Sequence, residues 1–249
     1  QNISRMVFSG GGMKGISYVG QLSFLSTIID FTSKNRQVKE FFGTSVGALI
    51  ACLAYLRVDF QATKVIQYVT EFIQCCSKFD SIPFYNGIVA IHTGESIHVC
   101  LKLIIKQITG LENPTFHELY KYINCDENIL VVCATNRTSL CASYFSYLTT
   151  PDCCVADALL ASIAVPGIFK PVTINGEEYI DGGLSDNLMI SYKLLDNFIM
   201  NKLPVTCLAF SFLDVAFPKS SNAVTAIIES LMCAGKEYLK FQYQVISLL

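Results

Sequence analysis

The chain has 249 residues, 52% of them hydrophobic and only 15% charged, with a formal net charge of −2. That length holds one well-packed domain, and the absence of any Lys/Arg cluster interleaved with aromatics excludes nucleic acid as a partner. The apolar excess fits a heavily buried sheet, a lipid-facing patch, or both. No apolar stretch reaches the roughly 18–20 residues of a transmembrane helix.

In chain order, a first strand over about Arg5 to Phe8 runs into the glycine loop Gly10-Gly11-Gly12-Met13-Lys14-Gly15. A helix over about Ile16 to Ile29 follows. Phe41-Phe42 ends a second strand at Gly43-Thr44-Ser45-Val46-Gly47, and Ala48 to Leu56 has the composition of a buried helix. Asp59 is placed to N-cap a helix whose apolar face is Val65, Ile66, Val69, Phe72 and Ile73. Ser77 to His92 reads as a loop, and Thr93 opens a helix stopped at Gly110. Pro114 and the capping box Thr115-x-x-Glu118 start another short helix.

Ile129 to Ala134 and Ala142 to Tyr147 read as strands around a polar turn, and Ala156 to Val165 as a helix ended by Pro166-Gly167. Val172 to Ile174 and Glu177 to Ile180 flank Asn175-Gly176, the pair that a type I′ hairpin turn requires. That hairpin delivers Asp181-Gly182-Gly183 at the end of a strand. Val205 to Phe212 is a further buried strand, and Ala223 to Leu249 an amphipathic helix. No linker or repeat interrupts the pattern. The whole of 1–249 therefore reads as a single α/β domain, with its motif-bearing core over about 5–190 and a C-terminal strand and helix over about 205–249.

Eleven cysteines, an odd count, show no Cys-x-x-Cys or Cys/His ligand spacing. Cys52, Cys133 and Cys207 sit inside apolar runs as small core residues. The setting expected is reducing and intracellular, with no metal and no signal peptide visible ahead of Arg5.

Strand, Gly43-Thr44-Ser45-Val46-Gly47 and helix together make a nucleophile elbow, which exposes a serine hydroxyl at the tip of a strained turn. A Cβ at Gly43 or Gly47 would clash where strand and helix approach. The helix also aims its positive N-terminal end at the serine. The glycine loop supports two uses. Gly10-x-Gly12-x-x-Gly15 matches the dinucleotide fingerprint, with Asp30 about twenty residues on. That reading fails on context, because Ser26-Thr27-Ile28-Ile29 makes no convincing second strand ahead of Asp30. The other use is an oxyanion hole, built from converging backbone amides aimed at Ser45, a device worth about 3 kcal/mol per donor. Lys14 either adds positive charge there or pairs with a surface carboxylate.

A serine nucleophile needs a base. His92, His98 and His117 are the three histidines, and none follows residue 117, which rules out a triad in the order Ser, Asp, His. A carboxylate must then act directly. Asp181 is the candidate: it ends a strand and is followed by Gly182 and Gly183, which let the backbone turn tightly. Desolvation against the serine would give it the basicity it otherwise lacks.

The three motifs, in this order, resemble those of the patatin-like phospholipases. The segments Gly94-Glu95, Thr115-Phe116-x-Glu118-Leu119-Tyr120 and Ala161-Ser162-x-Ala164-x-Pro166-Gly167-x-Phe169-x-Pro171 resemble that family too, so the likeness runs from about Arg5 to Asn187. It implies a three-layer α/β/α sandwich with a mainly parallel central sheet. It further implies hydrolysis of fatty-acyl esters of phospholipids or related glycerolipids, with Ser45 as nucleophile and Asp181 as general base. The amides of Gly10, Gly11 and Gly12 would hold the oxyanion. Lys14, Gly15, Gly43, Gly47, Gly182 and Gly183 would support the motifs. No cofactor or metal is implied, and the partner is a lipid substrate at a membrane or lipid-droplet surface, with the protein cytoplasmic or peripherally membrane-associated. Asp186 stands where an asparagine is common in the family. Lipid access is expected from Ile82 to Val89 as a lid or membrane-touching loop, or from the C-terminal helix. A catalytically idle lipid-binding protein of the same fold is the alternative, and the presence of both Ser45 and Asp181 argues against it.

Overall fold

A computed structural model describes residues 3–76, 82–85, 88–90, 92–124, 128–190 and 206–212. Its centre is a seven-stranded mixed sheet flanked by helices. Four strands run parallel: β1 (Ile3–Phe8), β2 (Glu40–Thr44), β5 (Ile129–Asn136) and β9 (Thr206–Phe210), in the spatial order β5-β2-β1-β9. Three more join antiparallel at the β5 side: β6 (Ala142–Phe145), β7 (Val172–Ile174) and β8 (Glu177–Asp181). The hairpin turn at Asn175 and Gly176 has φ of 51° and 84°, the two positive values a type I′ turn needs.

The central strands read as continuous apolar runs because both faces are covered. Met6, Phe8, Phe41, Leu130, Val132 and Ala134 face the helices. Val7, Phe42, Val131 and Cys133 face the other way, beneath Leu188 and Met189. The helical layer holds α1 (Ser17–Leu25), α2 (Val46–Tyr55), α3 (Thr63–Cys76), α4 (Glu95–Thr109), α5 (Phe116–Ile123) and α6 (Val155–Ser162). Every residue of α2 from Gly47 to Tyr55 is buried, as expected of a helix apolar all round and set in the core. The Thr115 capping box forms in both directions, with the Thr115 hydroxyl accepting from the Glu118 amide and the Glu118 carboxylate from the Thr115 amide.

Several expectations need correction. The first helix is split: a 3-10 turn over Gly12–Ile16 leads into α1, which ends at Leu25 rather than Ile29. Asp59 caps no helix. Its carboxylate accepts from the Gln61 amide at 2.9 Å, closing a local turn four residues before α3 begins at Thr63. The stretch expected as a loop contains β3 (Ile82–Tyr85) and β4 (Ile88–Ala90), paired antiparallel. Asn86 and Gly87 between them lie outside the described residues, as does the tail over 223–249. Among the described residues, no helix is long and apolar enough to cross a membrane. Cys52 and Cys133 are buried free thiols, whereas Cys207 is only half-buried.

Candidate active site

Chain geometry makes the elbow. Strand β2 stops at Thr44, and Ser45 holds φ 54° and ψ −131° before α2 begins, a conformation that costs of order 1–3 kcal/mol for a residue carrying a Cβ. The flanking glycines make the tight turn feasible. A Cβ on Gly43 would lie 2.3 Å from the Gly47 carbonyl oxygen, and one on Gly47 would lie 2.3 Å from that of Phe8. Strand and helix therefore touch backbone to backbone.

Strand β5 brings the acid to the serine. Thr44, the last residue of β2, lies opposite Cys133. Asp181, the last residue of β8, lies opposite the next residue, Ala134. Strand β6 spans Val132 to Thr135 on the other edge, so β2 and β8 share one edge of β5. One runs parallel to β5 and the other antiparallel. Their C-terminal ends thus approach head-on and stop at neighbouring positions. Gly182 fits into the junction, where a Cβ would lie 2.3 Å from the Cys133 carbonyl oxygen and 3.0 Å from Thr44 Cγ2.

The Ser45 hydroxyl donates to Asp181 Oδ2 at 2.7 Å. Both residues are nearly closed to solvent, at 8% and 5% exposure. Asp181 Oδ1 accepts from the Gly183 amide at 2.7 Å, its main-chain carbonyl accepts from Thr135 Oγ1 at 2.8 Å, and its own amide donates to the Ala164 carbonyl at 2.9 Å. Burial pushes the Asp181 carboxyl up to about 6, against the opposing pull of the Ser45 and Gly183 hydrogen bonds. A carboxylate so raised stays ionised near neutral pH yet is a stronger base than a solvated one.

The glycine loop abuts the same spot. A Cβ on Gly10 would meet Ser45 Cβ at 2.9 Å and Asn187 Oδ1 at 2.5 Å, and one on Gly15 would meet Val46 at 2.4 Å. The Gly10 amide donates to the Asn187 carbonyl at 3.3 Å. Those of Gly11 and Gly12 make no hydrogen bond to another described residue. Gly12 adopts φ +55°, and the face of Gly11 is closed by the Phe212 ring. Lys14 is exposed on the 3-10 turn. Gly183 lies between Asn187 Oδ1 and Asp181 Oδ1, each 3.0 Å from where its Cβ would be.

The histidines stand elsewhere. His92 is wholly buried, and its Nδ1 accepts from the Gly94 amide at 2.9 Å. Its Nε2 therefore carries the proton, which it directs to the Cys75 carbonyl at 3.2 Å. His98 bonds Asp157, and His117 is exposed. Asp30 sits in an exposed turn, where its carboxylate accepts from the amides of Thr32 and Ser33. Strand β2 begins only at Glu40, so Asp30 lacks the strand-end placement a ribose-binding acid needs.

Ser162, Asp186 and Asn187 enter the sequence reading only through the family resemblance, with no role given to them there. The Ser162 hydroxyl accepts from the Ser45 amide at 2.8 Å and donates to the Cys133 carbonyl at 2.5 Å. Buried Asp186 accepts from the Tyr144 hydroxyl at 2.8 Å, and its carbonyl accepts from Thr44 Oγ1 at 2.8 Å. Asn187 lies against Gly10. Local sequence patterns give them no role, since their partners lie from 29 to 177 positions away.

A family model described as patatin-like phospholipase matches residues 6–192, which contain the glycine loop, the elbow and Asp181. The chain belongs to the patatin-like phospholipase family. Among its relatives is the "Uncharacterized protein R571" of Acanthamoeba polyphaga mimivirus, 27% identical over 207 residues, covering 82% of this chain and 65% of that protein. The "Probable lipid hydrolase 463L" of Invertebrate iridescent virus 6 is 28% identical, covering 74% of this chain and 61% of that one. The "Triacylglycerol lipase ptl3" of Schizosaccharomyces pombe is 26% identical, covering 68% and 34%. In structure the patatin-like chain resembles VipD from Legionella pneumophila, with TM-score 0.50 and 18% identity over 84% of this chain and 49% of that one. That likeness is one of fold. The chain spans less than two thirds of the length of each of these relatives.

Proposed function

We propose that this chain hydrolyses fatty-acyl esters of phospholipids or related glycerolipids by two-step acyl transfer at a Ser45–Asp181 dyad. The observation that carries the reading is the 2.7 Å hydrogen bond from a strained, buried serine to a buried carboxylate.

Asp181 takes the Ser45 proton as Oγ attacks the ester carbonyl. The tetrahedral oxyanion collapses to an acyl-serine, and the proton passes from Asp181 to the departing alcohol or lysophospholipid oxygen. Water then gives its proton to Asp181 as it attacks the acyl-serine, and the fatty acid leaves as Ser45 recovers its hydrogen. Serine supplies the nucleophile that a metal-bound water supplies elsewhere, so the cycle needs no metal. The oxyanion reading narrows to the amides of Gly11 and Gly12, because the Gly10 amide is already turned to Asn187. The N-terminus of α2, which begins at Val46 directly after Ser45, adds its positive end.

Family membership and the lipid-hydrolase names of its relatives support a lipid ester as substrate, and the proposal places that substrate at a membrane or lipid-droplet surface. The free thiols of the described cysteines fit an intracellular, reducing setting. The test is fatty-acid release from phosphatidylcholine vesicles and from a triacylglycerol emulsion, comparing the natural chain with Ser45→Ala. Release from either lipid that Ser45→Ala abolishes bears the reading out. Release that survives the substitution contradicts it.

A further inference from the structure

The end of α6 and the turn that follows it bond the main chain of both dyad residues. Ser162, the final residue of the helix, is fully buried, and its hydroxyl stands between the Ser45 amide and the Cys133 carbonyl. Two residues on, the Ala164 carbonyl accepts the Asp181 amide, while the Ala164 amide closes the turn on Ala161. Cys133 is the residue beside which β2 ends. One hydroxyl therefore links the elbow to β5, and the same turn grips the acid.

We propose that Ser162 is the positioning residue that fixes the Ser45 hydroxyl against Asp181. The inference rests on the dyad reading above and deepens it. The Ser45 backbone has left the strand, and its positive φ is not a conformation that serine holds unaided. Its amide finds a partner in the Ser162 hydroxyl, not in another strand. That hydroxyl is in turn held by the Cys133 carbonyl and by the close packing of α6, where Ala156, Ala158, Leu159 and Ala161 are buried. Without the hydroxyl the Ser45 amide loses its acceptor, the elbow can relax, and Oγ drifts from Asp181. Asp181 stays in place, because its own tie to the turn after α6, at Ala164, is main chain to main chain.

Two consequences separate positioning from mere support of the fold. Misplacement of the nucleophile lowers kcat and leaves KM unchanged, by on the order of 10- to 100-fold for a displacement near 1 Å. The Ser45 hydrogen bond also holds the Asp181 pKa down, so loosening it moves the acid limb of the rate profile to higher pH.

The experiment measures the rate of Ser45 phosphonylation by a soluble fluorophosphonate, and kcat and KM on a soluble short-chain ester, from pH 4.5 to 9 for the natural chain, Ser162→Ala and Ser162→Cys. Circular dichroism establishes that each is folded. The expected result is a 10- to 100-fold loss of rate in Ser162→Ala with an upward-shifted acid limb, and an intermediate loss in Ser162→Cys, whose thiol is a weaker donor and acceptor. If Ser162→Ala does not fold, Ser162→Cys alone decides by the same criteria. Rates and acid limb equal to those of the natural chain in the folded variants overturn the positioning role. A natural chain that takes no label at Ser45 overturns the dyad reading first, and the inference with it.

Discussion

The Ser45 hydroxyl and the Asp181 carboxylate, 136 positions apart in the chain, meet at 2.7 Å because β2 and β8 end head-on against consecutive residues of β5. The contact is therefore built into strand register. A one-residue slip of either strand would separate the pair by about 3.3 Å, the rise per strand residue.

The pH dependence of activity follows from the buried acid. In the proposed mechanism Asp181 must be ionised to act as base, and burial pushes its carboxyl up to about 6. The expected kcat/KM on a soluble ester falls tenfold per pH unit below about 6 and is level above it. A profile still level at pH 5 would disagree.

Stability carries the opposite sign. The folded-state pKa of Asp181 is raised from 3.8 to about 6, so its contribution to stability is fully present below 3.8 and lost as pH rises through 6. At 1.36 kcal/mol per unit the loss comes to about 3 kcal/mol by neutral pH. Asp181→Asn removes that penalty. It is expected to unfold at higher urea than the natural chain at pH 8, by about 1–3 kcal/mol, while losing hydrolysis. A variant less stable than the natural chain at pH 8 would contradict this.

Glycines near the site differ sharply in what they tolerate. Gly47→Ala would set a Cβ 2.3 Å from the Phe8 carbonyl and 2.6 Å from that of Ser9, both rigid backbone of the central strand end. A loss above about 4 kcal/mol or failure to fold is expected. Gly12→Ala meets nothing within 4 Å and pays only for its φ of +55°, about 1–2 kcal/mol. It keeps its amide, so phosphonylation should remain within tenfold of the natural rate. Urea midpoints and labelling rates of the two variants check both statements.

Arg36 is a structural counterpart to the site. Buried at 1% exposure, it donates to the carbonyls of Phe31, Ala54 and Tyr55 and lies over the Phe41 ring. It thereby caps the C-terminal end of α2, the helix whose other end carries Ser45. Arg36→Met is expected to lose about 3–5 kcal/mol, since three buried carbonyls lose their donor. The folded fraction should label at the natural rate, because the elbow is a full helix away.

The parts of this site that the sequence makes legible are those written in local backbone grammar. Gly43 and Gly47 announce the elbow because only a missing Cβ lets strand and helix touch. Asn175-Gly176 announces the hairpin that carries Asp181. The order of strands is visible only as alternation with helices, and the head-on meeting of β2 and β8 depends on pairings made across 89 and 47 positions. Ser162 is an ordinary serine in its own helix and acquires meaning only when Ser45 arrives from 117 residues away. The 82–90 stretch reads as loop, yet its strands pair with each other and keep Pro83 out of the central sheet. Asp59 carries the right chemistry for a cap, but spends its carboxylate on the Gln61 amide before the helix starts.

Intact mass after fluorophosphonate treatment tests most directly whether Ser45 is a nucleophile activated by Asp181. One adduct is expected on the natural chain, none on Ser45→Ala, and a strongly slowed adduct on Asp181→Asn. An unlabelled natural chain, or Ser45→Ala labelled as fast as it, would contradict the account.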